Sequence, residues 1–445
     1  MENNRERLGS RLGFIMLSAG CAIGCGNVWK FPWLCGQNGG GSFMLIYVIC
    51  LILLGLPAMI MEFAVGRASQ SSPIYMYQKL SGKKKWGVFG IICLIGNIAL
   101  MAFYTVVTGW IIYYFVKFIT GQNQDFGFVN MITNPTVNVT YLLITVLIAF
   151  VILSFHLQGG LERITKYMMC ALIVLMLVLA VHSLTLKGAE EGMAFYLIPD
   201  FSKITGTVIV SAMNQAFFTL SVGMGGMAIF GSYIEKNHSL MGESARIIAL
   251  DTLVAVIAGV IMFPACFTYG LEVNAGPSLL FDTMASVFNN MDGGRWWGSL
   301  FFLFMVFAAV STVLGVCENI LAMVRELTGW SRPKGCLVCG IVIFLLALTT
   351  ALGYSVLHFQ PFAEGTAWLD FWDFIVSTNV LPLGSLVLAL FCCNRFGWSW
   401  DKFMEEANTG KGLKVKNWMK PLFKYVVPAV IAFIYIYGIV TFQWK

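Results

Sequence analysis

Charge is what this sequence has least of. Lys, Arg, Asp and Glu together make up 11% of its 445 residues, against about 25% in a soluble domain, which excludes an ordinary water-facing surface. Histidine is scarcer still. His156, His182, His238 and His358 are the full set, and no two stand at metal-ligand spacing. With no G-x-S-x-G turn and no nucleophile–base pair to read, an intramembrane enzyme is not expected. No basic run is interleaved with aromatics on a polar segment, so nucleic-acid binding has no surface to use. The 12 cysteines do not make a disulfide framework. Cys21, Cys25, Cys50, Cys93, Cys170, Cys266 and Cys317 fall within apolar runs, where a thiol acts as a small hydrophobe. Cys336-x-x-Cys339 stands alone, too little for a redox or metal site.

What is abundant is apolar. Hydrophobic residues make up 58% and the mean hydropathy is +0.79. A spanning helix needs about 20 apolar residues, and eleven stretches meet that: 11–35, 42–66, 88–118, 140–157, 164–186, 207–233, 246–270, 297–325, 335–355, 374–393 and 421–442. The first is not read as a signal peptide, since no small-residue cleavage site follows a short apolar core. Placing the N-terminus in the cytoplasm and the C-terminus outside gathers most of the 28 Lys and Arg in inner loops, as the positive-inside rule requires. The chain is therefore expected to be a multi-pass protein of the cell membrane, in contact with the lipid bilayer and without nucleic-acid partners. Asn138-Val-Thr reads as a glycosylation sequon in an outer loop.

Two of the stretches carry glycine clusters where a helix should run unbroken. One reads Gly20-Cys21-Ala22-Ile23-Gly24-Cys25-Gly26-Asn27, the other Thr219-Leu220-Ser221-Val222-Gly223-Met224-Gly225-Gly226. Unwound backbone at membrane depth is tolerated only where protein buries it or it lines a cavity. A matched pair of breaks in two halves points to a transporter's binding site. The breaks fall in the first and sixth stretches, so the chain divides into five helices over 1–200, five over 201–395, and a loop with a last helix over 396–445. Parity starts the two halves on opposite faces. The expected fold class is an all-α integral membrane protein with 11 transmembrane helices, a five-plus-five inverted repeat in which helices 1 and 6 are broken.

Freed carbonyls at such breaks suit a hard monovalent cation, and half-helix N-termini suit a carboxylate. The side chains nearby are oxygen-bearing and mostly uncharged: Asn27, Thr219 and Ser221, with Ser311 and Thr312 beside Ala308. Singly, each serine or threonine reads as packing or as back-bonding to its own helix; the set reads as a site.

These residues also carry a family likeness. Arg11-Leu12-Gly13, the first break continuing into Asn27-Val28-Trp29-Lys30-Phe31-Pro32, Asn38-Gly39-Gly40-Gly41-Ser42-Phe43 and Glu62-Phe63-Ala64-Val65-Gly66-Arg67 precede the Phe217-Phe218-Thr219 segment. The whole pattern resembles the neurotransmitter:sodium symporter family, in its prokaryotic eleven-helix amino-acid branch. The resemblance implies two sodium sites. The first takes the Ala22 carbonyl, Asn27, Thr219, Asp251 and the substrate carboxylate. The second takes the carbonyls of Gly20, Ile23 and Ala308 with the hydroxyls of Ser311 and Thr312. Substrate contacts fall at Ala22, Gly24, Gly26 and Thr219, with Tyr104 on the carboxylate and Phe218 as a lid. Leu100, Ser221, Met224, Thr312 and Val316 face the substrate side chain, with space at Gly315.

Asp251 departs from the pattern, since relatives usually have Asn there. An intramembrane carboxylate is functional by default. Chloride-dependent relatives bind chloride near Tyr47, Asn27 and a helix-seven serine whose position is Ala255 here. Asp251 brings its own negative charge, so chloride-independent transport is expected, with proton exchange at Asp251 open. Glu318 is left between a structural hydrogen bond and proton coupling, and Glu62 is placed near the helix-one hinge. The outer gate falls on Lys30 and Asp373, with Asp370 as an off-register alternative and Gln215 assisting. The inner gate falls on Arg5 and Glu326, helped by Ser232 and Tyr233.

Gly24 bears on substrate class. Monoamine carriers of this family place an aspartate there; a small residue suits a substrate that brings its own carboxylate. The expectation is sodium-coupled uptake of neutral hydrophobic L-amino acids, aromatic ones included, by a monomer or weak homo-oligomer. The alternatives are another small zwitterion, a monoamine, or a non-transporting sensor on the same fold.

Overall fold

A computed structural model describes residues 8–124, 127–271, 278–358, 360 and 366–441. Among them the protein is all-α, with a single isolated bridge between His238 and Lys411. The first apolar segment is two helices, Arg11–Ala22 and Gly26–Gln37, bent by 56° at the glycine cluster (together α1). Then come Gly41–Ser69 (α2), Lys84–Thr120 (α3), Pro135–Ser154 (α4) and Gln158–Leu184 (α5). The sixth segment is Gly206–Thr219 and Gly226–Gly231 (together α6). Leu240–Thr268 (α7), Gly294–Thr328 (α8), Arg332–Ala351 (α9), Trp368–Cys393 (α10) and Asn417–Thr441 (α11) complete the order.

Nine of these are long and apolar enough to span a membrane, and bent α1 makes ten. The eleventh is α6, whose pieces of 14 and 6 residues are too short to cross singly. Some starts differ from the hydropathy reading. The fourth helix begins at Pro135 because Asn134 caps it, accepting from the Val137 N–H at 3.2 Å, and proline suits the first turn. That start draws Asn138 into the helix and corrects the sequon reading. Asn138 is buried; its Nδ2 donates to the carbonyls of Met131, Ile132 and Asn134, and its Oδ1 accepts from Trp110 Nε1 at 2.6 Å. An amide bonded on both sides inside the protein offers no attachment point for a glycan.

Burial sorts the helices. Within their most apolar stretches, 78% of α8 and 72% of α3 are buried, against 28% of α11 and 33% of α5. The first pair forms the centre and the second faces outward. Helix α1 packs on α8 and α5, and the inner piece of α6 on α2, so both breaks face α8 and α3 at the centre of the bundle.

Candidate functional site

The break in α1 redirects two backbone N–H groups. In an unbroken helix the Gly24 and Cys25 N–H groups would close onto the carbonyls of Gly20 and Cys21. Instead Gly24 N donates to Asn27 Oδ1 at 3.1 Å, and Cys25 N donates to Tyr104 Oη at 2.9 Å. A Cβ at Gly24 would stand 2.5 Å from Thr312 Oγ1 and collide with Tyr104 Oη. No side chain fits at position 24 unless Tyr104 and Thr312 give way. In α6 the chain leaves the helix after Thr219 and turns through Ser221, Gly223 and Gly225, all at positive φ (51°, 104° and 79°). Two of the three are glycines, which take that region without strain; Ser221 does not, and backbone strain of this kind gathers at functional sites.

Two oxygen clusters result. In the first, Asn27 Nδ2 donates to Asp251 Oδ1 at 2.8 Å and to the Asp251 carbonyl at 3.2 Å, while Thr219 Oγ1 donates to Asp251 Oδ2 at 3.1 Å. All three residues are buried, and Asp251 lies well inside α7 rather than capping its end. In the second, Thr312 Oγ1 lies 3.1 Å from the Ile23 carbonyl and 3.3 Å from those of Gly20 and Ala308. One hydroxyl proton cannot serve three carbonyls, so this buried pocket holds more acceptors than donors. Ser311 Oγ back-bonds to the Ala308 carbonyl at 2.9 Å.

On the face away from the N-terminus, Gly26, Tyr104 and Phe218 line a cavity of about 210 Å³ together with Lys30, Asp370 and Asp373. Leu100, Met224, Thr312 and Val316 are buried and do not line this cavity. The space expected at Gly315 is not open, because a Cβ there would meet the Cys21 side chain at 2.8 Å. A second cavity of about 560 Å³ also reaches Lys30, Gln215, Phe218 and Asp373.

The two residues expected at the outer gate are apart in this structure. Lys30 Nζ sits 3.7 Å over the centroid of the Phe218 ring, a cation–π contact, and Asp373 Oδ1 accepts from Ser377 Oγ at 2.6 Å. No ion pair joins Lys30 to Asp373 among the described residues. Asp370 lines the same cavity as Lys30, and its Oδ2 caps α10 by accepting the Ala367 N–H at 2.8 Å. Gln215 Nε2 donates to the Gly26 carbonyl at 2.8 Å, tying the two broken helices together. Arg5 lies outside the described residues. Glu326 Oε2 accepts from the Ser72 N–H at 2.7 Å, and the Tyr233 hydroxyl donates to Glu318 Oε1 at 3.2 Å.

Both remaining carboxylates have their partners. Glu318 is ion-paired with Arg332 at 2.6 Å, which favours the structural alternative. Glu62 bonds to the break in α6: it accepts the N–H groups of Gly223 at 2.7 Å and Met227 at 3.2 Å. Asn97 was not anticipated. From α3 its Nδ2 donates to the Met224 carbonyl at 2.9 Å, holding the unwound strand from the other side. A buried amide in an apolar helix was a readable signal by the reasoning that singled out Asp251.

The family model described as "Sodium:neurotransmitter symporter family" matches residues 5–127 and 127–445. An uncharacterized sodium-dependent transporter of Bacillus subtilis, YhdH, is 34% identical, covering 97% of this chain and 98% of its own. The sodium-dependent serotonin transporter of Drosophila melanogaster is 25% identical over 99% of this chain and 78% of its own. Among solved structures, MhsT in complex with L-phenylalanine superposes with a TM-score of 0.88 at 34% identity, covering 97% of this chain and 99% of that one.

Proposed function

The chain belongs to the sodium:neurotransmitter symporter family, and from that premise we propose that it imports neutral hydrophobic amino acids with sodium and without chloride. Membership makes it a multi-pass, sodium-dependent membrane transporter and not an enzyme. The observation that carries the sodium reading is the acceptor-rich pocket at Thr312, where the Gly20, Ile23 and Ala308 carbonyls crowd one hydroxyl. Oxygen ligands without a proton to share suit a hard monovalent cation.

A second sodium would sit between the Ala22 carbonyl, Asn27, Thr219 and Asp251 and be completed by the substrate carboxylate, so that each ligand raises the affinity for the other. Tyr104 and the N–H groups freed in α1 would receive the carboxylate. The crowding around Gly24 supports an amino acid over a monoamine, because it leaves no room for a protein carboxylate to meet the ammonium. The MhsT complex with L-phenylalanine supports a substrate with a large apolar side chain, here against Leu100, Phe218, Met224 and Val316.

Asp251 supplies a fixed negative charge beside the first sodium, which supports independence from chloride. Lys30 and Asp373 would close over the substrate while Arg5 and Glu326 open below. The N-terminus would face the cytoplasm, and the halves 1–200 and 201–395 would rock about the two breaks. Binding of the amino acids to the purified protein in sodium chloride, sodium gluconate and potassium chloride tests this. Retention of a hydrophobic subset in both sodium buffers and none in potassium is the expected result. Binding in potassium would overturn the sodium sites, and loss in gluconate the chloride reading.

A further inference from the structure

One end of the bundle carries more cations than its carboxylates can neutralise. The buried acids there are already engaged: Glu243 holds Arg11 and Arg246, Glu406 holds Arg67 and Lys236, and Glu318 holds Arg332, while exposed Asp401 and Glu405, on the short helix Trp400–Ala407, can offset two of the cations that remain. Left over are Lys83, Lys84 and Lys85 before α3, Arg395 and Lys402 after α10, and Lys411, Lys414, Lys416, Lys420 and Lys424 leading into α11. All but half-buried Lys424 are exposed, and none of them forms an ion pair among the described residues.

These residues form one rim. Lys83 Nζ donates to the Phe396 carbonyl at 3.2 Å, Trp86 Nε1 donates to the same oxygen at 3.3 Å, and the Trp86 ring stacks on Phe396. The backbone next to Arg395 is thereby tied to Lys83. On the other flank Lys420 Nζ lies 5.9 Å over Trp400, whose ring packs on Phe423. Among the cations stand exposed apolar groups: Phe396 at 49%, Leu413 at 59%, Trp418 at 73% and Tyr425 at 63%. Lysines interleaved with exposed tryptophan and tyrosine at the end of a membrane span match a bilayer interface, where the rings sit at headgroup level.

We propose that this rim binds the headgroups of anionic phospholipids in the adjoining leaflet. Attraction of clustered lysines to such a surface is worth several-fold in affinity for each residue, and the exposed rings seat the rim at the depth where phosphates lie. The site is linked to the transport machinery. Lys411 exchanges backbone bonds of 3.0 Å with Asn237 and Ser239 in the α6–α7 connection, so lipid held there bears on the segment that follows the inner piece of α6. That this is the cytoplasmic leaflet rests on the orientation proposed above; the binding does not.

The test uses the full chain in detergent, with phosphatidylglycerol and phosphatidylcholine of identical acyl chains offered together and bound lipid counted by native mass spectrometry. Preference for phosphatidylglycerol by about fivefold or more is expected, falling as salt is raised. Substituting Lys414→Gln, Lys416→Gln, Lys420→Gln and Lys424→Gln together should remove most of the preference, and Lys83→Gln, Lys84→Gln and Lys85→Gln part of it. Melting temperatures report whether each variant folds, and the salt titration of the unaltered chain decides if one does not. Equal retention of the two lipids, or a preference indifferent to salt and to both sets of substitutions, would overturn the proposal. Failure of sodium-dependent amino-acid binding would leave it standing, so the two readings fail separately.

Discussion

Asn27 and Asp251, 224 residues apart, meet at 2.8 Å, the amide Nδ2 of one donating to the carboxylate Oδ1 of the other. With Thr219 on the second oxygen at 3.1 Å, the carboxylate is held from both broken helices. A carboxylate in that place is the basis of the proposal that no external anion is needed.

Replacing Asp251→Asn keeps the shape and removes the charge. Hydrogen bonds to charged groups are worth about 1.5–3 kcal/mol, so the sodium concentration for half-maximal uptake should rise about tenfold or more. Uptake by the variant should also depend on chloride, and uptake by the parent should not. Initial rates in chloride and gluconate, across a sodium series, check both. An unchanged sodium requirement would remove Asp251 from the ion site.

Thr312→Val tests the other cluster. The swap holds volume and deletes the hydroxyl, leaving the Gly20, Ile23 and Ala308 carbonyls without it. A loss of about 1–3 kcal/mol corresponds to a sodium affinity weakened by about 5- to 150-fold. Sodium titrations of radiolabelled amino-acid binding measure it, and retained affinity would show that the hydroxyl is packing alone.

Gly24→Ala introduces the Cβ that would stand 2.5 Å from Thr312 Oγ1. Overpacking of this kind costs about 1–3 kcal/mol. It falls on the substrate pocket, so amino-acid affinity should drop about tenfold or more while the protein still purifies as a folded species. Equilibrium binding and a melting curve separate the two effects.

Lys30 now rests on Phe218, and Asp373 is engaged by Ser377. If closure brings them together, Lys30→Cys and Asp373→Cys, tested singly, should react with a water-soluble thiol reagent more slowly once sodium and substrate are present. Rates unaffected by both ligands would argue that this side does not close over the site.

Glu318→Gln breaks a buried pair and leaves Arg332 without its countercharge, which costs about 3–5 kcal/mol. A lower melting temperature is expected, largely restored when Arg332→Leu is added to Glu318→Leu. A proton-coupling role predicts a different result, a changed pH dependence of uptake at unaltered stability.

Much of this was legible in the chain because membrane depth punishes exceptions. Glycine clusters at 20–26 and 223–226, a lone aspartate at 251 and hydroxyls at 311 and 312 stand out against apolar surroundings, and the bend in α1 and the interruption of α6 fall where the glycines are. The hydropathy reading misjudged places where a local bond outranks composition. Asn134 starts α4 early and carries Asn138 into the interior, and Cys21 fills the room opposite Gly315.

By itself the sequence determined the spans, the two breaks and the set of oxygen-bearing residues, since burying backbone and charge in hydrocarbon permits few solutions. Only the tertiary structure decided which oxygens meet. That Thr312 of α8 reaches three carbonyls from two helices, that Asp251 is shared by Asn27 and Thr219, and that Glu62 and Asn97 hold the unwound strand of α6 all depend on helices distant in the chain packing side by side. No pattern along one helix encodes that distance.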